Sequence, residues 1–201
     1  MRVLIPFAPS EPKSRLAPVL SAEERAEFAR VMLEEVCRHV RAAGCRPTIL
    51  STEAIPDTQV PVTVDDRPLS GAVNDALEPP VAIVAADLAI LTPTALRRAL
   101  DLPGDVVIGP GRGGGTNVLV VRNDRFFVDF HGMSLADHRS IAADQGLAIS
   151  EVDSHRLTTD VDEPPDLVEV LLHGRGESAD WLREQGFELT ATDGRVAIQR
   201  R

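Results

Sequence analysis

The chain has 201 residues, of which 43% are hydrophobic and 26% charged, and this suits one soluble α/β domain with a substantial core. Its formal net charge of −10 disfavours nonspecific binding to nucleic acid, and it has no apolar stretch long enough to cross a membrane. The first seven residues are too short for a signal peptide and indicate a strand. The two cysteines, Cys37 and Cys45, lack metal-ligand spacing and favour a reducing, cytoplasmic setting.

Apolar runs and turn residues alternate along the chain and predict its elements in order. The first predicted element is a strand over 2–7, which a proline-bearing loop follows. A helix then starts at the capping sequence Ser21-Ala22-Glu23-Glu24, runs to about Ala43 and ends at Gly44. The remaining predicted strands are 47–51, 60–64, 81–86, 105–109, 116–122 and 148–152. The remaining predicted helices are 70–77, 92–102, 134–145, 165–173 and 178–185. A hairpin over 187–192 and 195–199 turns at Asp193-Gly194. This alternation predicts a mainly parallel central sheet with helices on both faces.

Acidic residues stand at two places where predicted strands end. Asp87 follows the apolar run 81–86, and Asp160-Val161-Asp162 follows the strand over 148–152. Open α/β sheets bind their ligands at the carboxyl edge of the sheet. Two or three carboxylates at that edge repel one another unless a hard cation is bound, and Mg²⁺ with a phosphate fits. The sequence therefore predicts metal-assisted phosphate chemistry, with these carboxylates as candidate metal ligands.

Basic residues are unevenly distributed, because the chain has twenty arginines and a single lysine, Lys13. Lys13 lies just after the first strand, where α/β nucleotide-binding folds place phosphate-binding groups. Arg15 lies two residues further and can face the same anion, since arginine binds phosphate through two nitrogens and lysine acts as a point charge. A solvated loop with ordinary charges is the alternative.

Glycines are concentrated in Gly111-Arg112-Gly113-Gly114-Gly115, which leads into Thr116-Asn117. Such a loop lets the backbone approach a ligand closely. It is not a Walker sequence, because no Gly-Lys-Ser/Thr follows, and it is not the dinucleotide fingerprint, which belongs after the first strand. A flexible turn is the alternative, and Thr116 at its exit favours contact with a ligand.

Three further polar positions are candidates. Ser134, after Phe130-His131-Gly132-Met133, is a predicted helix N-cap, and a helix N-terminus attracts phosphate or carboxylate, although a plain cap is commoner. His131 and His138 are possible metal ligands or general bases, but a structural or surface role is favoured because no carboxylate partner has a fixed spacing. Asn74, at the start of a short helix, can contact a base edge or cap that helix.

Taken in order, these segments resemble the 2-phospho-L-lactate guanylyltransferase family, which serves synthesis of a deazaflavin redox coenzyme. The resemblance extends from Ile5 to about Leu172 and depends on the ordered set, since no single piece is specific. The pieces are Lys13-Ser14-Arg15-Leu16, Asn74, Ala86-Asp87-Leu88, Gly114-Gly115-Thr116-Asn117, Phe130 to Ser134 with His138, and Asp160-Val161-Asp162 before Pro164. Members often have a second lysine where this chain has Ala8, a proline where it has Ala89, and an acidic residue near Gly113.

The resemblance implies a single Rossmann-like nucleotidyltransferase domain over 1–201, in which 177–201 form a C-terminal helix-hairpin extension. It implies GTP and 2-phospho-L-lactate as substrates, with lactyl-diphospho-guanosine and pyrophosphate as products. Catalysis would be mostly positioning and charge neutralisation. The implied roles are Mg²⁺ binding by Asp87, Asp160 and Asp162, triphosphate neutralisation by Lys13 and Arg15, nucleotide contact by Asn74, and binding of the small phospho-acid by Thr116, Gly132 and Ser134.

Two other functions stay open at this point. One is a nucleotidyltransferase of the same fold that uses phosphoenolpyruvate or a phosphoglycerate, or that attaches a nucleotide to another cofactor. The other is a catalytically silent nucleotide-binding regulator. The presence of Asp87, Asp160 and Asp162 disfavours this function, because a silent regulator would be expected to lose them.

A homodimer is expected from the C-terminal segment. An isolated two-stranded hairpin is marginal in water, so this segment must pack on something. Packing on its own domain is the alternative. The apolar residues concerned are Trp181, Leu182, Phe187, Leu189, Val196 and Ile198.

Overall fold

The computed structural model describes residues 1–10, 12–192 and 194–201, and these form nine strands and seven α-helices. The strands are β1 Arg2–Phe7, β2 Arg46–Ser51, β3 Val62–Val64, β4 Val81–Val84, β5 Val106–Pro110, β6 Thr116–Val121, β7 Ile149–Glu151, β8 Phe187–Thr192 and β9 Arg195–Arg200. The helices are α1 Ala22–Ala42, α2 Leu69–Ala76, α3 Pro93–Asp101, α4 Ser134–Asp144, α5 His155–Thr158, α6 Asp166–His173 and α7 Glu177–Glu184, with a 3-10 helix at Ser14–Leu16.

Seven strands form one sheet in the order β3-β2-β1-β4-β6-β5-β7. Within it β6 pairs antiparallel with β4 and β5, and the other pairs are parallel, so the prediction of a mainly parallel sheet is confirmed. The reversal of β6 brings its first residue, Thr116, to the edge where β4 ends. There the N–H of Ala85 donates to the carbonyl of Asn117 at 2.9 Å. The carboxyl edge therefore receives side chains from the ends of parallel strands and from the start of β6.

Both faces of the sheet are covered, as the alternation of elements predicted. Val3 and Ile5 of β1 pack into a core with α1 and α3, whereas Leu4 between them packs into a second core with α2 and α4. Successive side chains of a strand point to opposite faces, so a strand that is apolar throughout is buried on both.

Local capping fixes the helix boundaries. Ser21 accepts a hydrogen bond from the N–H of Glu24, whose carboxylate accepts from the N–H of Ser21 at 2.8 Å, which confirms the predicted capping box. Thr92 caps α3 with Pro93 at its first position, also as predicted. Caps of this kind contribute about 1 kcal/mol each. Gly44, after α1, has a φ of +83° that disfavours other residues.

The C-terminal segment packs on α1 of its own chain. Trp181 of α7 stacks on Phe28 with ring centroids 4.9 Å apart, and the buried carboxylate of Glu35 accepts from the N–H of Ser178 at 2.8 Å. Phe187 at the start of the hairpin is also buried. Packing of the segment on its own domain, the alternative considered above, thus accounts for the burial of Trp181 and Phe187. Leu189 and Val196 remain exposed, and the homodimer stays a prediction.

Some boundaries differ from the predicted ones. Strand β4 ends at Val84, so Ala85 to Asp87 belong to the following turn. The four-residue helix α5 was not predicted, because one helical turn has too few residues to show a periodic pattern. The hairpin is confirmed as the pair β8–β9, although Asp193 in its turn lies outside the described residues. Across the part of the chain that the structure describes, no helix is long and apolar enough to span a membrane.

Candidate functional site

A cavity of about 540 Å³ lies at the carboxyl edge of the sheet, beside the ends of β1 and β4. Lys13, Arg15, Asp87, Thr116 and Asp162 line it, and they come from four separate segments of the chain. The volume is within the range of small-molecule sites. The structure therefore brings together five of the residues that the sequence singled out.

Lys13 is the central cation of this site. Its Nζ donates to Oδ1 of Asp162 at 2.9 Å and also to Oδ2 of Asp87. Burial alone would lower the pKa of Lys13, but the attraction of the two carboxylates outweighs it and the pKa is raised. Lys13 also has a φ of +54°, a left-handed conformation that is uncommon for residues other than glycine. Strained backbone of this kind is concentrated at functional sites.

Arg15 lies at the mouth of the cavity. Its guanidinium is 3.6 Å from Oδ2 of Asp162, and its side chain is 69% exposed. An exposed ion pair contributes little to stability, so this arginine is free to exchange its carboxylate partner for a phosphate.

The segment with Asp160 and Asp162 is attached to the end of β4 and the start of β6. The N–H of Val161, whose side chain is fully buried, donates to the carbonyl of Asp87 at 3.2 Å. Oδ1 of Asp160 accepts from Nδ2 of Asn117 at 3.1 Å. A Cβ on Gly111 would lie 2.7 Å from Oδ1 of Asn117, so a side chain here would displace the amide of Asn117. The absence of a side chain at Gly111 thus leaves room for the amide of Asn117, which bonds Asp160.

A second set of contacts fixes the same segment from its other end. Oδ2 of Asp166 accepts from the N–H groups of Asp162 and Glu163, both at 2.8 Å. Oδ1 of Asp166 accepts from the guanidinium of Arg112 in the glycine loop. The aspartates of the site are therefore held by backbone and side-chain contacts on both sides.

The three predicted metal ligands differ in how far their oxygens are already bonded within the protein. Oδ1 of Asp87 is buried and accepts no hydrogen bond from the described residues, which leaves it available to a cation. Carboxylate oxygens are the ligands that Mg²⁺ prefers. The ammonium of Lys13 lies between Asp87 and Asp162, and the three carboxylates do not bring ligand atoms within 4.8 Å of one another among the described residues. Lys13 links two of these carboxylates, and the oxygen that suits a hard cation in this arrangement is the buried Oδ1 of Asp87.

Thr116 is held by a buried histidine. The N–H of Asp129 donates to Nε2 of His138 at 3.1 Å, so the proton of the neutral ring is on Nδ1. Nδ1–H then donates to Oγ1 of Thr116 at 2.9 Å. Burial lowers the pKa of His138 to about 4, and the ring is neutral at pH 7. Because Thr116 already accepts from His138, its own hydroxyl proton is free to donate to a ligand in the cavity.

Two predicted roles need correction. Ser134 is not an N-cap: Met133 occupies that position, and Ser134 is the first residue of α4, with its hydroxyl directed at Oγ1 of Thr116 at 3.4 Å. Asn74 is not at the start of its helix but near its end, and its amide bonds both backbone groups of Val128, at 2.9 and 2.8 Å. A side-chain amide has the same donor and acceptor as a peptide group. The amide of Asn74 therefore bonds the N–H and the carbonyl of Val128 as the backbone of a neighbouring strand would.

Gly132 lies in the turn before α4 with a φ of +59°, outside the residues that line the cavity. Sequence reasoning gave no separate role to Asn117, Arg112 or Asp166, which position the acidic segment. The signal of Asn117 and Arg112 was weak, because their side-chain partners Asp160 and Asp166 lie more than forty residues away in sequence.

A family model described as guanylyl transferase CofC like matches residues 1–201. A 2-phospho-L-lactate guanylyltransferase of Halomicrobium mukohataei is 57% identical over 203 residues, covering all of both chains. Another, of Natronomonas pharaonis, is 58% identical over 201 residues and also covers both chains completely.

Solved structures resemble the fold at low sequence identity. A protein assigned as a nucleotide-diphospho-sugar transferase, from Desulfovibrio desulfuricans G20, superposes with a TM-score of 0.77 at 16% identity, over 92% of this chain and 94% of that one. A CMP:2-keto-3-deoxy-manno-octonic acid synthetase complexed with CTP gives 0.54 at 12% identity, over 90% and 98%. The fold is that of Rossmann-like nucleotidyltransferases.

Proposed function

The chain belongs to the family of CofC-like guanylyl transferases, and we propose that it joins the GMP moiety of GTP to 2-phospho-L-lactate with release of pyrophosphate. The observation that supports this chemistry is the ammonium of Lys13, held between Asp87 and Asp162 in a cavity at the carboxyl edge of the sheet. A phosphate that enters the cavity meets this ammonium and the guanidinium of Arg15.

The reaction needs positioning more than proton transfer. An oxygen of the substrate's phosphate forms a bond to the α-phosphorus of GTP, and the bond from that phosphorus to pyrophosphate breaks. The attacking phosphate is already anionic near neutral pH, so no strong general base is required. Lys13 and Arg15 neutralise charge on the triphosphate. Asp87, Asp160 and Asp162 would hold Mg²⁺, which supplies further neutralisation of the phosphoryl oxygens.

The small phospho-acid would lie against the start of β6 and α4. Thr116 would donate its free hydroxyl proton, with Ser134 beside it. Gly132 lies in the preceding turn, outside the cavity lining, and would contribute only its backbone N–H. Hydroxyl and amide donors suit a phosphate and a carboxylate. We assign the nucleotide to the side of the cavity that Lys13 and Arg15 line. Asn74 would support the site by holding the backbone of Val128, and not by a hydrogen bond to the base.

We further propose that the enzyme acts in the cytoplasm as a homodimer, with no nucleic acid or membrane as a partner. The two free and buried cysteines, Cys37 and Cys45, are in keeping with a reducing compartment. Leu189 and Val196 of the hairpin are exposed apolar residues that a second copy could cover.

The deciding experiment measures pyrophosphate release from GTP and Mg²⁺ with each phospho-acid in turn, and repeats it with ATP. We expect 2-phospho-L-lactate to give a higher kcat/KM than phosphoenolpyruvate. We also expect GTP to be preferred over ATP, because a site that hydrogen-bonds one base edge leaves groups unpaired with the other. Equal constants for the two nucleotides would overturn the guanylyl assignment, and faster turnover with phosphoenolpyruvate would reassign the acid.

A further inference from the structure

A group of metal-binding side chains lies on the surface, apart from the cavity. His155 is the first residue of α5, and Glu169 and His173 lie one turn apart on α6. Nε2 of His155 is 3.1 Å from Oε2 of Glu169, and Nε2 of His173 is 3.5 Å from the same oxygen. All three ligand atoms lie within 4.8 Å of one another. Two imidazoles and one carboxylate thus converge on a single point.

These spacings match those of a transition-metal site. Metal–ligand bonds of about 2.1 Å in tetrahedral geometry place neighbouring ligand atoms roughly 3.4 Å apart. The two measured distances to Glu169 lie on either side of that value. Imidazole nitrogen with one carboxylate is a donor set for Zn²⁺ and similar ions, whereas Mg²⁺ prefers oxygen ligands alone. The group therefore differs in chemistry from the aspartates of the cavity.

The orientation of His155 is a second, independent observation. Its Nδ1 lies 3.5 Å from the hydroxyl of Thr159, which can accept the proton of that nitrogen. A histidine whose Nδ1 carries the proton presents the lone pair of Nε2, as metal-bound histidines do when their other nitrogen donates to a neighbour.

We propose that His155, Glu169 and His173 bind a divalent transition-metal ion of the Zn²⁺ type, with a fourth position open to water. The ion would join α5 to α6. The chain between these helices, residues 159–165, includes Asp160 and Asp162, so the ion would fix the acidic segment from outside the cavity. This proposal does not depend on the identity of the substrates.

The test is a calorimetric titration of the full-length protein with Zn²⁺ in the presence of excess Mg²⁺, which competes at the aspartates. We expect one Zn²⁺ site, lost or weakened roughly tenfold or more in His155→Ala and His173→Ala, because even changes to residues behind a ligand cost metal affinity 10–100-fold. Glu169→Gln should weaken it too. The matched control is His39→Gln, at a histidine on α1, which should bind Zn²⁺ as the unchanged protein does.

A second measurement is made on the same variants. Zn²⁺ should raise the Tm of the unchanged protein and of His39→Gln but not of the other variants, and Co²⁺ should give the visible absorption of a tetrahedral site. His155 and His173 have side chains 54% and 46% exposed, so their replacement should leave the fold intact, as circular dichroism would show. Zn²⁺ affinity that is unchanged in both histidine variants, or no binding to the unchanged protein, would overturn the proposal.

Discussion

Oγ1 of Thr116 lies 2.9 Å from Nδ1 of His138, and the other ring nitrogen of that histidine accepts from the backbone N–H of Asp129. While His138 is neutral, one of its ring nitrogens can only accept and the other can only donate, so the direction of both hydrogen bonds is fixed. Thr116 is an acceptor toward the protein and a donor toward the cavity. The histidine, which does not line the cavity, is therefore a positioning residue for the hydroxyl that does.

Thr116→Val should raise KM for the phospho-acid by roughly 10- to 150-fold, because it removes one hydrogen bond to a charged group, which contributes about 1.5–3 kcal/mol. KM for GTP should change little. Thr116→Ser keeps the hydroxyl and should recover most of the loss. Steady-state kinetics with each substrate varied in turn would measure both constants. An equal rise in KM for both substrates would argue against a contact of Thr116 with the acid.

Stability should depend on pH through His138. An unperturbed histidine has a pKa of about 6.5, and burial lowers that of His138 to about 4. Between these values the unfolded chain binds a proton that the folded chain does not. The contribution of neutral His138 to the free energy of unfolding is therefore complete above pH 6.5. It is lost as the pH falls toward 4, and the total loss is about 3 kcal/mol. Denaturant unfolding at several pH values should show a shallower acid loss in His138→Gln. The same loss in both proteins would contradict this cause.

Asp87→Asn, Asp160→Asn and Asp162→Asn should each lower turnover by orders of magnitude with the fold intact. Removing a carboxylate weakens the ion that neutralises the phosphoryl oxygens. Asp87→Asn should have the largest effect, because its buried Oδ1 has no hydrogen-bond donor among the described residues. Asp101→Asn, at an exposed position on α3, is the control. Activity near that of the control at saturating Mg²⁺ would remove the residue concerned from the site.

Lys13→Ala should raise KM for GTP and lower kcat, since it removes the ammonium from the centre of the site. Lys13→Arg should recover only part of the activity, because a planar guanidinium does not replace a compact ammonium between two carboxylates. The two variants are compared by pyrophosphate release. Kinetics of Lys13→Ala that match those of the unchanged enzyme would make the single lysine incidental.

Much of this arrangement follows from local sequence. The strands themselves and the capping box at Ser21 could be predicted, because apolar runs and caps are local signals. The sequence also indicated that Lys13, Asp87 and Asp162 belong to one edge of the sheet, but not that the lysine pairs with both carboxylates, because those partners are 74 and 149 residues away. The roles of Ser134 and Asn74 could not. Each depends on a partner from a distant segment, and a serine before a helix has the same local pattern whether it caps the helix or turns inward.

The homodimer has its own test. Val196→Asp and Leu189→Asp place charges on the exposed face of the hairpin and should give a monomer in light scattering, where the unchanged protein gives twice that mass. Burying an unpaired charge in an apolar contact is costly, so one substitution should suffice. Truncation of the segment would be less informative, because Trp181 and Phe187 belong to the core. A monomeric mass for the unchanged protein would contradict the prediction.

Val161 is fully buried between Asp162, which lines the cavity, and Asp160, whose carboxylate accepts from Asn117. In an extended chain, successive side chains point in opposite directions, so the burial of Val161 turns Asp160 and Asp162 away from the core. Insertion or deletion of one residue here would exchange the two sets, turning an aspartate into the core and the valine toward the nucleotide. We therefore expect the segment to tolerate another apolar residue at Val161 but not a change in its length.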